Sequence, residues 1–113
     1  MLAKSYRLTR QADHRKALRY GAVVRYPPLL VRVVQSGRSA SRFSFVVSNQ
    51  VSKRATQRNR LRRQLREVTR AWLPQIRPGY DVVVTVRLGR AEYPTLQLKE
   101  ALGQCFRRSR LFL

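Results

Sequence analysis

The sequence predicts an α+β fold: a single-domain two-layer sandwich of three helices on a small sheet of three to four strands, in the order α-β-β-α-β-α. Its 113 residues suit one domain, spanning residues 1–113, better than two. Hydrophobic residues make up 43% of the chain, which is enough for a core. Segments with the two-residue period of strands alternate with segments of helical period, and this alternation indicates the element order.

The first helix is bounded by its capping signals. Thr9 is suited to the N-cap of a helix that runs to about Tyr20, and Gly21 stands where a C-cap glycine belongs. Residues 22–26 are the candidate for a short extra strand, which would be the fourth of the sheet.

Two strands are predicted next. Pro27-Pro28 blocks helix formation and starts an extended segment, in which residues 29–34 are mostly aliphatic and β-branched. Residues 35–40, which include Ser36-Gly37, are typical of a hairpin turn. The turn leads to a second strand at 41–48, so these two strands are expected to pair with each other.

The second strand has two chemically different faces. Successive side chains of a strand point to opposite faces. One face carries Phe43, Phe45 and Val47 and is expected in the core. The other carries small residues, which leave room for a ligand to lie on the sheet: Ser44, Val46 and Ser48.

A helix and a strand follow. A basic connector at 49–57 leads to a helix at about 57–73, which Pro74 stops. The valine-rich segment 80–87 predicts a strand that is buried on both faces, in the middle of the sheet.

The last helix is predicted to open at Pro94-Thr95 and to end near Arg108. Its inner stripe at helical spacing is Leu98, Leu102, Cys105 and Phe106. Cys105 is the single cysteine, so no internal disulfide can form, and we interpret it as a buried small hydrophobe. This usage fits a reducing compartment, and a cytoplasmic location is expected.

The charge of the chain indicates a polyanionic partner. Lys and Arg total 25 against 5 Asp and Glu, which gives +20 and a pI near 11.9. Most of the cations are Arg, which favours recognition of RNA or phosphate. A membrane surface is the rival partner, but the basic residues are spread over the whole chain and are not confined to one amphipathic helix. We therefore expect nucleic acid and no membrane.

The predicted helix at 57–73 is the most informative segment. Five arginines fall within residues 58–66, and Arg58 and Arg60 are expected to point to solvent. At about 100° per residue, one side carries Leu61, Leu65, Val68 and Trp72, and the other Asn59, Arg62, Arg63, Arg66 and Arg70. Planar, permanently charged guanidinium groups suit phosphate. The alternative interpretation is a solvated basic surface helix, although Glu67 is the only acid there.

No catalytic constellation is visible in the sequence. Hydrolysis of a phosphodiester by protein groups needs clustered carboxylates or a paired acid and base. His14 is the only histidine, and the acids fall on different elements with no paired spacing: Asp13, Glu67, Asp81, Glu92 and Glu100. The residues alone therefore predict an RNA-binding protein without catalytic residues and without a small-molecule substrate.

A family resemblance sharpens this prediction. Residues 43–48, the connector through Lys53-Arg54-Ala55 and the Arg-Asn-Arg start of residues 58–67 together resemble the signature of the bacterial ribonuclease P protein subunit. Gly79-Tyr80-Asp81, Arg7-Leu8 and the spacing of Asp13 and Gly21 extend the similarity over nearly the whole chain.

The resemblance implies a fold and an activity. The fold has a left-handed β-α-β crossover at the arginine helix, whereas general rules predict a right-handed one. The family pairs with a large catalytic RNA that removes the 5′ leader from precursor tRNA and holds most of the Mg²⁺. The protein subunit broadens substrate use and lowers the magnesium requirement of the holoenzyme.

The resemblance also implies two sets of site residues. The set that docks on the RNA subunit is Lys53, Arg54, Arg58, Asn59, Arg60, Arg62, Arg63 and Arg66. The set that lines a cleft for the leader is His14, Leu18, Arg32, Ser44, Val46 and Ser48, provided that Arg32 points to the same face of the sheet.

The chain departs from the family pattern at the cleft. The family usually has aromatic residues where this chain has His14 and Leu18, and a basic pair where it has Asn49-Gln50. We therefore hypothesise that leader binding here relies more on charge than on stacking. Two alternatives stay open: a ribosomal or other structural RNA-binding protein, and a nucleic-acid chaperone or DNA-binding protein.

Overall fold

The computed structural model describes residues 2–87 and 93–113, and these form one α+β domain. The helices are α1 (Gln11–Tyr20), α2 (Ala55–Trp72) and α3 (Thr95–Arg108). The strands are β1 (Ala22–Tyr26), β2 (Leu29–Gln35), β3 (Arg42–Val47) and β4 (Tyr80–Val86). The predicted element order is confirmed, and the candidate extra strand is present as β1.

The sheet has the order β1-β2-β4-β3, and this order corrects one prediction. β2 and β3 do not form a hairpin, because β4 lies between them, antiparallel to β2 and parallel to β3. The hairpin of this sheet is β1–β2, which turns at the cis Pro27-Pro28 and pairs Tyr26 with Leu29. The turn residues at 35–40 reverse the chain, but a turn signal does not specify which strand becomes the neighbour.

β3, α2 and β4 form a β-α-β unit with parallel, adjacent strands, as the resemblance implies. The hand of this crossover stays a prediction. β4 is the central strand, and Val82, Val83 and Val84 are fully buried, which confirms burial on both faces.

The main core lies between one face of the sheet and the helices α2 and α3. Phe43, Phe45 and Val47 face this core, as predicted. The inner stripe of α3 is confirmed, because all four of its predicted residues are fully buried. Burial also raises the pKa of the Cys105 thiol to about 11, since the thiolate would be poorly solvated there.

Helix α1 lies on the opposite face of the sheet. Leu8 and Ala17 pack there against Val83, with Val34 and Val46 beside them. The predicted two-layer arrangement is thereby refined: α2 and α3 form one layer, the sheet forms the second, and α1 covers part of the sheet's other face.

The capping of α1 differs from the prediction at its start. Thr9 is not the N-cap; Arg10 holds that position and makes no side-chain capping bond. The reason is that the Leu8 N–H donates to the Phe43 carbonyl at 2.8 Å, which ties the preceding chain to β3. Gly21 is the C-cap, as predicted. A Cβ at Gly21 would lie 2.4 Å from the Ala17 carbonyl oxygen, so close approach of the chain requires the glycine.

Candidate nucleic-acid interface

The apolar side of α2 is buried as predicted. Leu61, Leu65 and Val68 are part of the main core, and Trp72 packs against it while half-buried. The opposite side of the helix is therefore fixed in direction by the core. Long polar side chains on that side extend from a rigid base.

Ser52 organises the start of α2. Its hydroxyl accepts the Arg54 N–H at 3.1 Å and donates to the Gln57 side chain. Its carbonyl accepts a bond from Nη1 of Arg58 at 2.9 Å. The expectation that Arg58 simply points to solvent is therefore corrected: Arg58 is half-buried and also holds the connector. Lys53 and Arg54 are exposed beside it.

The polar side of α2 is crowded with positive charge. Asn59, Arg60 and Arg63 are exposed, and Arg62 and Arg66 are partly exposed. The pKa of Arg62 is lowered, first by partial burial and then by the neighbouring charges of Arg66 and Arg58. An anion placed here would offset that repulsion. A depression of about 450 Å³ is lined by Asn59, Arg62, Arg63, Arg66 and Glu67.

The register of the sheet decides the direction of Arg32. Arg32 pairs with Val83, and Val83 pairs with Ser44, so the three side chains form one row on the face that α1 partly covers. The condition attached to Arg32 is therefore met: it lies on the same face as Ser44 and Val46.

His14 closes one side of this cleft. Its Nε2 lies 2.7 Å from the Ser44 hydroxyl oxygen, a hydrogen bond that joins α1 to β3. One helical turn later, Leu18 is 47% exposed. Val46 is half-buried, and the exposed Ser48 lies just past the end of β3. The structure thus gathers the predicted cleft residues around α1 and the sheet face, although the Ser44 hydroxyl is already engaged by His14.

The sequence reasoning missed a charge cluster beneath α1. Arg42 donates two hydrogen bonds to Asp81, from Nε at 2.9 Å and from Nη2 at 2.7 Å, and its Nη2 lies 3.2 Å from Oδ2 of Asp13. The hydrogen bond to Asp81 is the main reason that the pKa of Arg42 is raised, although burial opposes it. The alternation of β3 places Arg42 on the face of Ser44 and Val46, and that signal could have found it.

This cluster corrects the view that the acids are scattered without a pair. Asp13 and Asp81 meet in space, with the Arg42 guanidinium between them. Both carboxylates therefore face one guanidinium of the chain itself, whose single positive charge offsets one of their two negative charges. In the part of the chain that the structure describes, no three His, Cys, Asp or Glu residues could together hold a metal ion. Glu92 lies outside the described residues.

Comparison with known proteins decides the family. The family model described as ribonuclease P matches residues 2–110. The chain belongs to the ribonuclease P protein family. The ribonuclease P protein component of Synechocystis is 44% identical over 86 residues, covering 75% of this chain and 69% of that protein. That of Chloroflexus aurantiacus is 35% identical over 109 residues, covering 96% and 80%.

Solved ribonuclease P proteins share the fold. The Thermotoga maritima protein, in complex with 1-(4-fluorophenyl)-2-thiourea, superposes with a TM-score of 0.82 at 27% identity, over 90% of this chain and 98% of that one. The Staphylococcus aureus protein gives a TM-score of 0.87 over 97% and 100% of the two chains, but at 23% identity it supports the fold alone.

Membership in the ribonuclease P family makes the chain a protein component of an endoribonuclease of tRNA processing. Ribonuclease P RNA is the partner that membership implies. Among the helices of residues 2–87 and 93–113, none has the length and apolarity needed to cross a membrane.

Proposed function

We propose that the protein docks on ribonuclease P RNA through the polar side of α2 and binds the 5′ leader of precursor tRNA in the cleft between α1 and the sheet. The observation that carries the proposal is the row of exposed and partly exposed arginines on the polar side of α2, where the pKa of Arg62 is lowered first by partial burial and then by the charges of Arg66 and Arg58. Phosphate groups would offset these charges and accept bidentate hydrogen bonds.

The cleft supports the second half of the proposal. Arg32 stands in a row with Val83 and Ser44 on a shallow sheet face, and α1 provides a wall with His14 and Leu18. A single RNA strand can lie on such a face while cations guide its backbone.

The chemistry belongs to the RNA in this proposal. The carboxylates of Asp13 and Asp81 are engaged by Arg42, so this pair does not suit Mg²⁺, and the RNA subunit would hold the ions. The protein would act by positioning the substrate, which broadens substrate use and lowers the magnesium requirement. We place this activity in the cytoplasm.

Cleavage of 5′-labelled precursor tRNA at limiting Mg²⁺ tests the proposal. Bacterial ribonuclease P RNA is assayed alone and with the protein, and the protein is also assayed alone. We expect cleavage at the mature 5′ end only when both are present. Tight binding of the RNA without stimulation would favour a purely structural RNA-binding role, and cleavage by the protein alone would place the chemistry on the chain.

A further inference from the structure

A pocket lined by aromatic and basic side chains lies away from the cleft, where the end of α2 meets the end of α3. It encloses about 400 Å³ and is lined by Trp72, Pro74, Gln75, Arg107, Phe112 and Leu113. The rings of Trp72 and Phe112 meet edge to face, with centroids 5.3 Å apart. The buried Phe106 contacts both rings from the core side, at 6.1 and 5.9 Å.

The pocket is held in shape by the backbone. Ile76 and Phe112 form an isolated β-bridge. The Arg77 N–H donates to the Leu111 carbonyl at 2.7 Å, and the Leu113 N–H donates to the Gln75 carbonyl at 2.8 Å. The half-buried faces of the two rings are therefore presented by a fixed segment, so a ligand need not order it on binding.

Arg110, which lies in the chain between the lining residues Arg107 and Phe112, has an unusual backbone conformation. Its φ is +61°, in the left-handed region that glycine favours. The bonds from Leu111 N–H to Phe106 O and from Arg110 N–H to Arg107 O complete a Schellman cap of α3. An exposed arginine thus occupies the cap position at which glycine would be least strained, in the turn between Arg107 and Phe112.

The charge around the pocket is not neutralised by the described chain. Arg107 and Arg110 are exposed, and neither has a carboxylate within ion-pair distance among residues 2–87 and 93–113. Half-buried rings beside uncompensated guanidinium groups match a nucleotide, whose base stacks and whose phosphate binds cations.

We propose that this pocket binds an unpaired RNA nucleotide, with its base against Trp72 and Phe112 and its phosphate on Arg107 and Arg110. The proposal rests on the proposed function in one respect, namely that RNA is the partner. Trp72 lies six residues beyond Arg66, about 9 Å along the helix axis. Trp72 is on the core side of the helix, so an RNA that contacts both the polar side of α2 and this pocket would pass around the end of α2.

Trp72 is the only tryptophan of the chain, so its fluorescence reports on the pocket directly. The probe is a single-stranded uridine hexanucleotide, and inorganic polyphosphate is the probe that carries charge without a base. We expect quenching by the hexanucleotide and a much smaller change with polyphosphate. Equal responses would overturn the proposal, because they would indicate a general polyanion surface, and the absence of quenching would do the same.

Arg110→Gly separates binding from folding. Glycine suits the cap conformation, so the thermal midpoint is expected to stay level or rise, while hexanucleotide affinity falls by about three- to tenfold. Arg107→Ala is expected to weaken binding similarly. Lys99→Ala, which removes an exposed cation from the same helix, is the matched control and should change affinity less than twofold. Equal losses in Lys99→Ala and Arg110→Gly would overturn the proposal.

The two proposals fail in distinguishable ways. If the hexanucleotide quenches Trp72 fluorescence but the protein does not stimulate cleavage of precursor tRNA, the proposed function is wrong and the pocket proposal stands. If the protein fully stimulates cleavage but Arg107→Ala and Arg110→Gly leave its affinity for the hexanucleotide unchanged, the pocket proposal is wrong and the proposed function stands.

Discussion

The polar side of α2 and the cleft under α1 are both basic, but they differ in how far their polar groups are paired within the protein. On α2, cations crowd one another, and the pKa of Arg62 is lowered first by partial burial and then by the neighbouring charges of Arg66 and Arg58. In the cleft, polar groups pair with one another: His14 bonds Ser44, Arg42 donates to Asp81, and Arg42 forms an ion pair with Asp13. The polar side of α2 therefore presents positive charge on a rigid helix, whereas in the cleft some of the polar side chains form the bonds that hold α1 against the sheet.

The largest expected effect comes from breaking the cluster that fixes the cleft. Arg42→Ala leaves the Asp81 carboxylate buried without its partner, so the free energy of unfolding should fall by about 3–5 kcal/mol. Urea denaturation measures this change. Arg38→Ala, at an exposed position in the 36–41 connection, is the control and should stay within about 0.5 kcal/mol. Similar small losses in both variants would show that the cluster does not anchor α1.

The next effect separates the two sides of α2. Leu65→Ala creates a cavity in the core and should cost about 2–5 kcal/mol. Arg63→Ala removes an exposed side chain two residues away on the same helix and should stay within about 0.5 kcal/mol. Thermal and urea unfolding of the pair check this. Comparable destabilisation would contradict the division of α2 into a core side and a binding side.

A smaller effect on folding, with a clear effect on binding, is expected from the crowded charges. Arg62→Ala combined with Arg66→Ala should leave stability unchanged or slightly raised, since like charges are removed. Affinity for ribonuclease P RNA should fall by about tenfold or more, and the slope of log K against log salt should flatten by roughly 0.7 for each lost phosphate contact. An unchanged salt slope would place the docking surface elsewhere.

The smallest expected effect tests whether the cleft binds by charge. Arg32→Ala should weaken leader binding by about threefold and flatten its salt dependence, because one phosphate contact is lost. Leu18→Ala, which removes a half-exposed apolar side chain, should change leader affinity less. The difference in affinity between precursor tRNAs with and without a leader isolates the contribution of leader binding. A larger loss in Leu18→Ala, with no change of salt slope, would support stacking and apolar contact instead.

Local patterns predicted the elements well because their causes are local. The period of α3 gave its buried stripe, the valine run gave the central strand β4, and the alternation in β3 gave its core face. Each of these features depends on neighbours within a few residues. The apolar and basic sides of α2 follow from the same geometry.

The features that were missed depend on partners distant in sequence. The β2–β3 hairpin was wrong because β4, more than thirty residues later, inserts between the two strands. Thr9 is not a cap because a backbone bond to Phe43 fixes the chain before α1. The Asp13–Arg42–Asp81 cluster joins three elements; the alternation of β3 gives the face of Arg42, but no spacing along the chain gives its two partners.

The strand order has a consequence for how the molecule is made. β4 provides the hydrogen-bonding partner of both β2 and β3, so a nascent chain that ends before Tyr80 has two strand edges with nothing between them. The four-stranded sheet can be completed only after about three quarters of the chain has been synthesised. The arginine helix precedes β4 in the chain, so it is complete, with its positive charge, while these two strand edges are still unpaired.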